Sequence, residues 1–546
     1  MVETRPSHPD RWAILAVLCA SLLVVVVDVT VLHVAAPAIS ADLDPSALQL
    51  LWIIDVYPLV AAPLLVASGV ASDRLGRKSV LLAGFALFGL ASLAAAFALT
   101  APLLIAARAL LGVGGAMILP PTMSIIRDAF RDRGERVRAV GIWSATSAGG
   151  AAIGPLVGGF LVEHFWWGAV FLINVPILLI VAPFAIRLLP QSRAAEPPPW
   201  DTGAVVLAAV GILGIAFGLK EGARYGFLEP VTMAATVVGL SALYLFVRGQ
   251  LGQRHPLLDV RLFGRREFAV AVGCVFLSMF GLVGIEFFGA QYLQLVLGLE
   301  PLAAAVRLLP LMLSTLVGGL LAARVLRRLG TRWTITFGLG ATTVGLIPML
   351  ALGLEDQYWL LWPAFLLIGF ALEVALVAAN DVIISSVPAD EAGGAAAIEE
   401  TAYELGGGFG VAVLGSILAI AYSARLGRVE GVSSIGIETA RESLNRAVDL
   451  AQTMPTSMAE PLIEGARVAF MSGYRTMIVV SLVLLGLSAA VSAVALRPRG
   501  RSSAPVDGST SDPAGGRYAE RPAGPNGSGP GLRPAGESIP KRVGRN

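Results

Sequence analysis

Long apolar runs separated by short polar breaks make up most of this chain. Stretches with almost no charge recur at roughly 12–39, 49–71, 79–99, 103–124, 138–162, 166–188, 201–219, 230–248, 267–289, 303–324, 333–353, 359–384, 393–424 and 474–496. A helix needs about 20 mostly apolar residues to cross a bilayer, so the pattern predicts about fourteen transmembrane helices. The expected fold class is therefore an all-α membrane protein, and an even number of crossings puts both termini on one side. Two stretches leave the pattern. Residues 425–473 form a long loop in which 436–452 and 459–472 read as short amphipathic helices, either gating the mouth of the molecule or simply connecting two spans. From Arg497 onward the chain is rich in Pro, Gly, Ser and Arg and cannot bury enough surface to fold, so 497–546 reads as a disordered tail.

Composition agrees with this class. The 546 residues are 56% hydrophobic and only 14% charged, with a mean hydropathy of +0.75, far from a soluble domain. Basic residues select the orientation. Arg5, Arg11, Arg74, Arg77, Lys78, Arg127, Arg131, Arg136, Arg187, Arg248, Arg261, Arg324 and Arg328 fall at the N-terminus or in loops after even-numbered helices, whereas the opposite short loops carry only Lys220 and Arg224. The positive-inside rule then makes both termini cytoplasmic, with 1–11 as a short cytoplasmic segment. The inner loop around Pro388 to Glu391 has no basic residue and is the weak point of that topology. The first apolar run is too long for a secretory signal and lacks a small-residue cleavage site, so it reads as an uncleaved first helix. The net charge of +2 gives no sign of a nucleic-acid partner. Cys19 and Cys274 are the two cysteines, and the four histidines (His8, His33, His164 and His255) are scattered. No metal site, disulfide framework or clustered catalytic group is expected, and the chain does not read as an enzyme.

Acidic residues inside the apolar runs carry the chemistry. Asp28, Asp55, Glu400 and Glu404 lie within predicted spans, where a charge costs at least a few kcal/mol and is kept for a cavity, a partner charge or a transported ion. Glu400 and Glu404 are four apart and share a helix face, while Glu399 points about 100° away. Like charges at that spacing repel, which suits a proton carrier. Glu286 and Glu373 are also deep enough to face a cavity, or to pair with an arginine such as Arg307, and Asp381 lies nearer the cytoplasmic end. Arg108 needs a carboxylate or carbonyl partner, with Asp28 one candidate and snorkelling to the outer interface the alternative. Trp52, Tyr57, Trp143, Phe287, Phe288, Tyr292 and Tyr403 share helices with these acids or with the motifs below, and aromatic faces attract organic cations.

Several motifs point to a family. The run Gly69, Asp73, Arg74, Gly76, Arg77 and Lys78, with a frayed echo at 319–332, resembles the loop 2–3 signature of the major facilitator superfamily. Gly69 permits close helix approach, Asp73 can accept from Arg77, and the basic cluster holds the loop on the cytoplasmic side. Gly150, Gly154, Pro155, Gly158 and Gly159 resemble the glycine-proline motif of that family's antiporters. Arg108 before Gly112, Gly114 and Gly115 resembles its helix-four arginine motif, which is associated with proton coupling. "VDVTVLHVAAP" in helix one is similar to the signature of the fourteen-helix drug:proton antiporter branch, except that His33 stands where Asn is usual. "LWIIDVYPL" in helix two, with Asp55, and the acidic start of helix thirteen are similar to multidrug and quaternary-ammonium efflux members.

The resemblance covers about residues 10–496 and implies two six-helix bundles, 12–190 and 267–496, with a pair of inserted helices within 200–248. It implies export of lipophilic organic cations by alternating access, driven by a proton gradient with no bound cofactor, from a cell-membrane location and as a monomer. Asp28, Arg108, Glu400 and Glu404 are then the proton-coupling candidates, and Asp55, Tyr57, Glu286, Glu373 and Tyr403 the substrate-binding ones. Ser314 and Thr315 stand where some divalent-cation exporters of the branch are acidic, which argues for monovalent substrates. An exporter of an anionic or neutral metabolite stays open as the alternative, with a membrane-embedded enzyme or sensor as the more distant one.

Overall fold

The computed structural model describes residues 9–193, 200–253, 256–387, 392–427, 429 and 432–496. Residues 1–8, the loop 388–391 and the tail 497–546, each the subject of an expectation above, lie outside the described residues. The first half of the chain forms α1 (Arg11–Leu43), α2 (Ala47–Leu75), α3 (Arg77–Ala96), α4 (Ala101–Ala129), α5 (Arg133–His164), the single turn α6 (Ala169–Leu172) and α7 (Asn174–Leu188). Next come α8 (Thr202–Tyr225) and α9 (Pro230–Gly252). The second half holds α10 (Arg266–Gln291), continued by a π turn at Tyr292–Val296, then α11 (Pro301–Leu346), α12 (Tyr358–Ser385), α13 (Ala392–Arg425), α14 (Ser434–Glu442), α15 (Leu444–Gln452) and α16 (Thr456–Ala495).

Polar residues at the breaks start these helices. Ser46 and Gln49 form a capping box at α2, and the side chains of Thr100, Asp132, Asp201 and Glu229 accept from the first-turn amides of α4, α5, α8 and α9. Each cap satisfies a donor the helix itself cannot. Gly76 separates α2 from α3 at a φ of 110°, a conformation glycine reaches without a side-chain clash.

Among the described residues, 13 helices are long and apolar enough to cross a membrane, against about fourteen expected spans. The difference lies in α11. Its 46 residues would extend about 69 Å at 1.5 Å per residue, more than twice the ~30 Å hydrocarbon core. Gly330 interrupts it at φ 72° and ψ 161°, so it holds the two spans expected at 303–324 and 333–353. At the other end of the chain the expectation needs correcting. The separate amphipathic helix at 459–472 and the last span at 474–496 are one continuous helix, α16. Pro461 lies inside it without ending it, and Gly473, at the supposed boundary, packs so closely on α13 that a Cβ would stand 2.7 Å from Leu418 O.

In the first half, α4 packs on α2 and α3, and α5 on α1; in the second, both segments of α11 pack with α12, α10 with α13, and α16 with α11 and α13. The halves meet along α2/α13, α5/α11 and α1/α10, and the α8–α9 hairpin lays α8 against both α2 and α13. One apolar cluster runs through both halves.

Small residues make these approaches possible, as expected where lipid offers no hydrophobic drive for helix association. Gly150, Gly154 and Gly158 of α5 face α1, where a Cβ would meet Leu23 at 3.0 Å, overlap Thr30 Oγ1 and meet Val31 O at 2.9 Å. Gly159, one residue on, faces the other half, with Leu302 Cα 2.8 Å from where its Cβ would be. Helix α5 is thus wedged between the halves, and the buried Pro155 sits in the middle of that wedge. A Cβ on Gly112 of α4 would fall 2.6 Å from Tyr57 O, and one on Gly115 would overlap the Tyr57 hydroxyl.

Because the atom met at Gly112 is main chain and cannot rotate away, Gly112→Val is expected to force α2 and α4 apart, at a cost of about 1–3 kcal/mol. The readout is a lower thermal midpoint in detergent, followed by size exclusion, while Gly141→Ala, whose Cβ would meet nothing within 4 Å, stays close to wild type.

Candidate functional site

A buried ion pair occupies the centre of the first half. Arg108 Nη1 of α4 donates to Asp28 Oδ2 of α1 at 2.6 Å, and both side chains are at most 1% exposed. The remaining valences are filled from three further elements. Asn174 Nδ2, at the start of α7, donates to Asp28 Oδ1 at 2.7 Å and reaches Ser92 Oγ of α3 at 3.2 Å. Arg108 Nε donates to Ile53 O of α2 at 3.2 Å. The guanidinium also lies 4.9 Å from the Tyr57 ring centroid and 5.9 Å from that of Phe171, a cation–π arrangement that replaces part of its hydration. Of the two options for Arg108, pairing with Asp28 holds in this structure and snorkelling does not.

This network borders the acids of the second half. Tyr57 lies within electrostatic range of Asp28, Arg108, Glu400 and Glu404, and Glu404 within range of Glu400 and Arg108. Tyr403, 40% exposed, lies within range of Glu286, Glu373, Glu400 and Glu404. Glu373 rests on α11, its Oε1 3.4 Å from where a Cβ on Gly319 would be. These candidates therefore gather in one region between the halves, the candidate chamber for a substrate, with Glu286, Glu373, Glu400 and Glu404 each only partly buried. Thr401 of α13 reaches across to Ala62 O of α2 at 3.5 Å. Ser314 and Thr315 turn their hydroxyls back to main-chain oxygens, Ser314 to Leu311 O and Phe365 O and Thr315 to Leu311 O.

Asp55 is placed apart from this chamber's pair. Its Oδ1 accepts from Lys220 Nζ of α8 at 2.6 Å, with both side chains fully buried, and the ammonium lies 3.7 Å from the Trp52 ring centroid. Lys220 was expected in a solvent loop, because the apolar run ends at residue 219. Instead α8 continues to Tyr225 and carries the lysine inward. Its only visible sequence signal was a cation abutting an apolar run opposite a helix-borne acid. Asn174 was missed as well, being an uncharged residue with no motif around it. Arg307, weighed as a partner for Glu286 or Glu373, makes two 2.7 Å hydrogen bonds to Asp356 instead. Those bonds hold the Asp356 carboxyl below the ordinary aspartate range, with its slight burial opposing them.

The loop motif is a local clasp. Arg77 bonds Asp73 Oδ1 through Nε and Nη2, at 3.2 and 3.1 Å, and also pairs with Asp128 of α4. Its backbone N–H donates to Ser192 O at 3.0 Å, and Lys78 bonds Ile186 O of α7. Gly76 forms the turn, and Arg74 is exposed at the same loop; a Cβ on Gly69 would make an ordinary 3.8 Å contact with Pro120, so the close approach expected there does not require glycine. All these partners belong to the first half. At the opposite end, Arg446 of α15 pairs with Asp44 at 3.0 Å and donates to Asp44 O at 3.0 Å, which ties the long loop to the α1–α2 turn. Tyr422 OH donates to Ala440 O at 2.7 Å, fastening α14 to α13.

Removing one partner of a buried pair leaves an uncompensated charge, at a cost of about 3–5 kcal/mol, whereas apolar or neutral replacement of both is often tolerated. Lys220→Met is therefore expected to lower the thermal midpoint of the purified protein sharply, and Asp55→Asn combined with Lys220→Met to recover most of the loss. Equal losses in the single and double variants would contradict this.

The sequence profile of the Major Facilitator Superfamily matches residues 18–411. The multidrug efflux pump LfrA of Mycolicibacterium smegmatis is 41% identical over 500 residues, covering 91% of this chain and 99% of the relative. The methyl viologen resistance protein SmvA of Salmonella typhimurium is 40% identical over 461 residues, covering 84% and 93%. The tetracenomycin C resistance and export protein of Streptomyces glaucescens is 30% identical over 472 residues, covering 85% and 87%. Among solved structures, an inward-facing, unoccupied bacterial homolog of the human lysosomal transporter Spinster superposes with a TM-score of 0.62 at 17% identity, covering 90% of this chain and 99% of that one. At that identity the likeness speaks for the fold alone.

Proposed function

The chain belongs to the major facilitator superfamily, and we propose that it is a proton-coupled antiporter exporting lipophilic organic cations. Relatives at about 40% identity, named as a multidrug efflux pump and a methyl viologen resistance protein, make it a multidrug efflux transporter of the superfamily. Proton coupling and cation preference are read from the site. The observation that carries them is the buried Asp28–Arg108 pair of the first half, with Glu404 of the second half within electrostatic range of Arg108 and of its neighbour Glu400.

A cation drawn from the cytoplasm or the inner leaflet meets the chamber's acids and the exposed ring of Tyr403, whereas Tyr57, read from the sequence as a substrate contact, is buried with Arg108 over its ring and supports the ion pair instead. An ionised Glu400 or Glu404 attracts it, and protonation of that acid from the outside releases it. Arg108 ties the first-half carboxylate to α2 and α4, so a proton arriving on Asp28 weakens a contact that joins three helices. Glu286 and Glu373 line the same chamber as substrate-side acids. Asp55 joins them only when Lys220 lets it go. The glycine-lined seams of α5 and the clasp around Arg77 suit two halves that rock as bodies, with both termini cytoplasmic, no cofactor beyond the proton gradient, and a single chain sufficient.

The test is reconstitution in liposomes under an imposed pH gradient, following ethidium uptake. Wild type is expected to concentrate ethidium only when the gradient is present. Asp28→Asn is expected to reduce that uptake at least tenfold, and Glu400→Gln to reduce it while leaving folding intact. Uptake by Asp28→Asn at the wild-type rate would exclude the coupling role. A wild type that moves no cation, yet passes protons when cell extract is added, would favour a metabolite exporter, as the name of the tetracenomycin C relative suggests for that protein.

A further inference from the structure

One titratable pair crosses between the halves at the α1–α10 seam, His33 buried and Glu286 partly so. His33 of α1 is 3% exposed, and its Nδ1 stands 3.6 Å from Glu286 Oε2 of α10. That is beyond a hydrogen bond and within ion-pair reach, a gap closed by a small rotamer shift or a bridging water. No other hydrogen-bond partner is found for Nδ1 among the described residues. The ring packs 6.1 Å from Phe287, so an apolar wall flanks the contact. Next to it on the same seam, Gln294 Nε2 donates to Val34 O at 3.0 Å. The α1–α10 junction thus pairs one hydrogen bond that does not respond to pH with one contact that does.

We infer that His33 and Glu286 hold a single proton between them across the α1–α10 seam, and that this proton fastens the two halves in the state seen here. With that proton present, an imidazolium faces a carboxylate, or a carboxylic acid faces a neutral ring nitrogen. Either way a donor meets an acceptor, charge-assisted in the first case. Without it, an ionised carboxylate faces at best a neutral N–H beside Phe287, and the contact weakens. The proton comes from and returns to the chamber that holds Glu400 and Glu404, and no other atom moves between groups. Histidine suits this position because its ordinary titration range lies near physiological pH, where an asparagine would be silent. The charged groups around His33 are Glu286 from α10, Arg108 from α4, and Asp28 about one and a half turns earlier on α1. Helix α5 presents Gly154 and Gly158 to this part of α1, and α7 presents the uncharged Asn174.

The inference rests on the antiport reading for its role in transport but not for its existence, and the experiment separates the two. Full-length protein labelled with ¹⁵N-histidine is placed in lipid nanodiscs and titrated. It has four histidines, so the signal absent from His33→Asn is that of His33. The expected result is a His33 midpoint at least about one pH unit lower in Glu286→Gln than in wild type, the size of effect an opposite charge at this distance produces. Should Glu286→Gln fail to fold, Glu286→Asp keeps the acid, lengthens the gap and is expected to lower the midpoint by less. An unchanged midpoint in whichever variant folds overturns the inference. Substrate counterflow without a gradient then reports the fastening. Wild-type exchange is expected to vary with pH along the His33 titration, and His33→Asn to be flat over that range; superimposable profiles overturn the role. If gradient-driven uptake is absent in wild type while Glu286→Gln still moves the His33 midpoint, antiport fails and the shared proton stands.

Discussion

Everything in this molecule is arranged around the cost of placing charge in a dry interior. An isolated arginine or aspartate at the depth of Arg108 and Asp28 would be prohibitive, and their mutual attraction offsets that cost only when the leftover hydrogen-bonding capacity is also filled. Here the filling comes from α2 and α7, through Ile53 O and Asn174, with Ser92 of α3 in turn accepting from Asn174. The pair therefore acts as a knot for the first half. Its geometry depends on α4 lying close enough to α2 for the guanidinium to sit over Tyr57, and that closeness depends on Gly112 and Gly115.

The inserted hairpin obeys the same constraint. A pair of helices packed outside the two bundles could be a passive appendage held by apolar contact. Instead α8 sends Lys220 inward to Asp55, with Trp52 covering the ammonium, while its apolar face adds Ile212 and Ala216 to Leu59 of α2. The hairpin is attached to the first half by an ion pair and touches α13 of the second half beside it. An acid that the family resemblance assigns to substrate is in this state neutralised by the protein itself, through a lysine of the insertion.

The proposed rocking of the halves calls for interfaces that can slide, and the contacts sort accordingly. Within the first half, strong polar contacts lie at the knot, at the Arg77 clasp and at the Arg11–Glu135 pair that joins α1 to α5. Between the halves, contacts are mostly glycine-lined or apolar, with a few single hydrogen bonds such as Thr401 to Ala62 O and Gln294 to Val34 O. The His33–Glu286 approach sets two titratable side chains against each other, so its strength changes with a proton, and the Glu163 carboxylate that accepts from Leu302 N at 3.3 Å is a further acid at the border. The long loop adds one exposed tie, Arg446 to Asp44, at the opposite end from the clasp.

Much of this was legible in the sequence, because a bilayer leaves the chain few choices. Apolar length sets the number of spans, glycines four apart mark the close seams, and an acid in an apolar run must face a partner or a cavity. Hence the spans and the α5 motif could be read directly, as could the presence of acids deep in the apolar runs, and even the over-long α11 separates at Gly330 where the pattern had divided it. Which charges meet was decided only by tertiary structure. Asp28 and Arg108 are 80 residues apart, and Asp55 and Lys220 are 165 apart; no local rule couples them. Lys220 and Asn174 carry no motif, and Arg307 had several acids to choose from before Asp356 took it. Periodicity tells which face of a helix is polar, but the partner on that face is fixed by how helices from distant parts of the chain are packed.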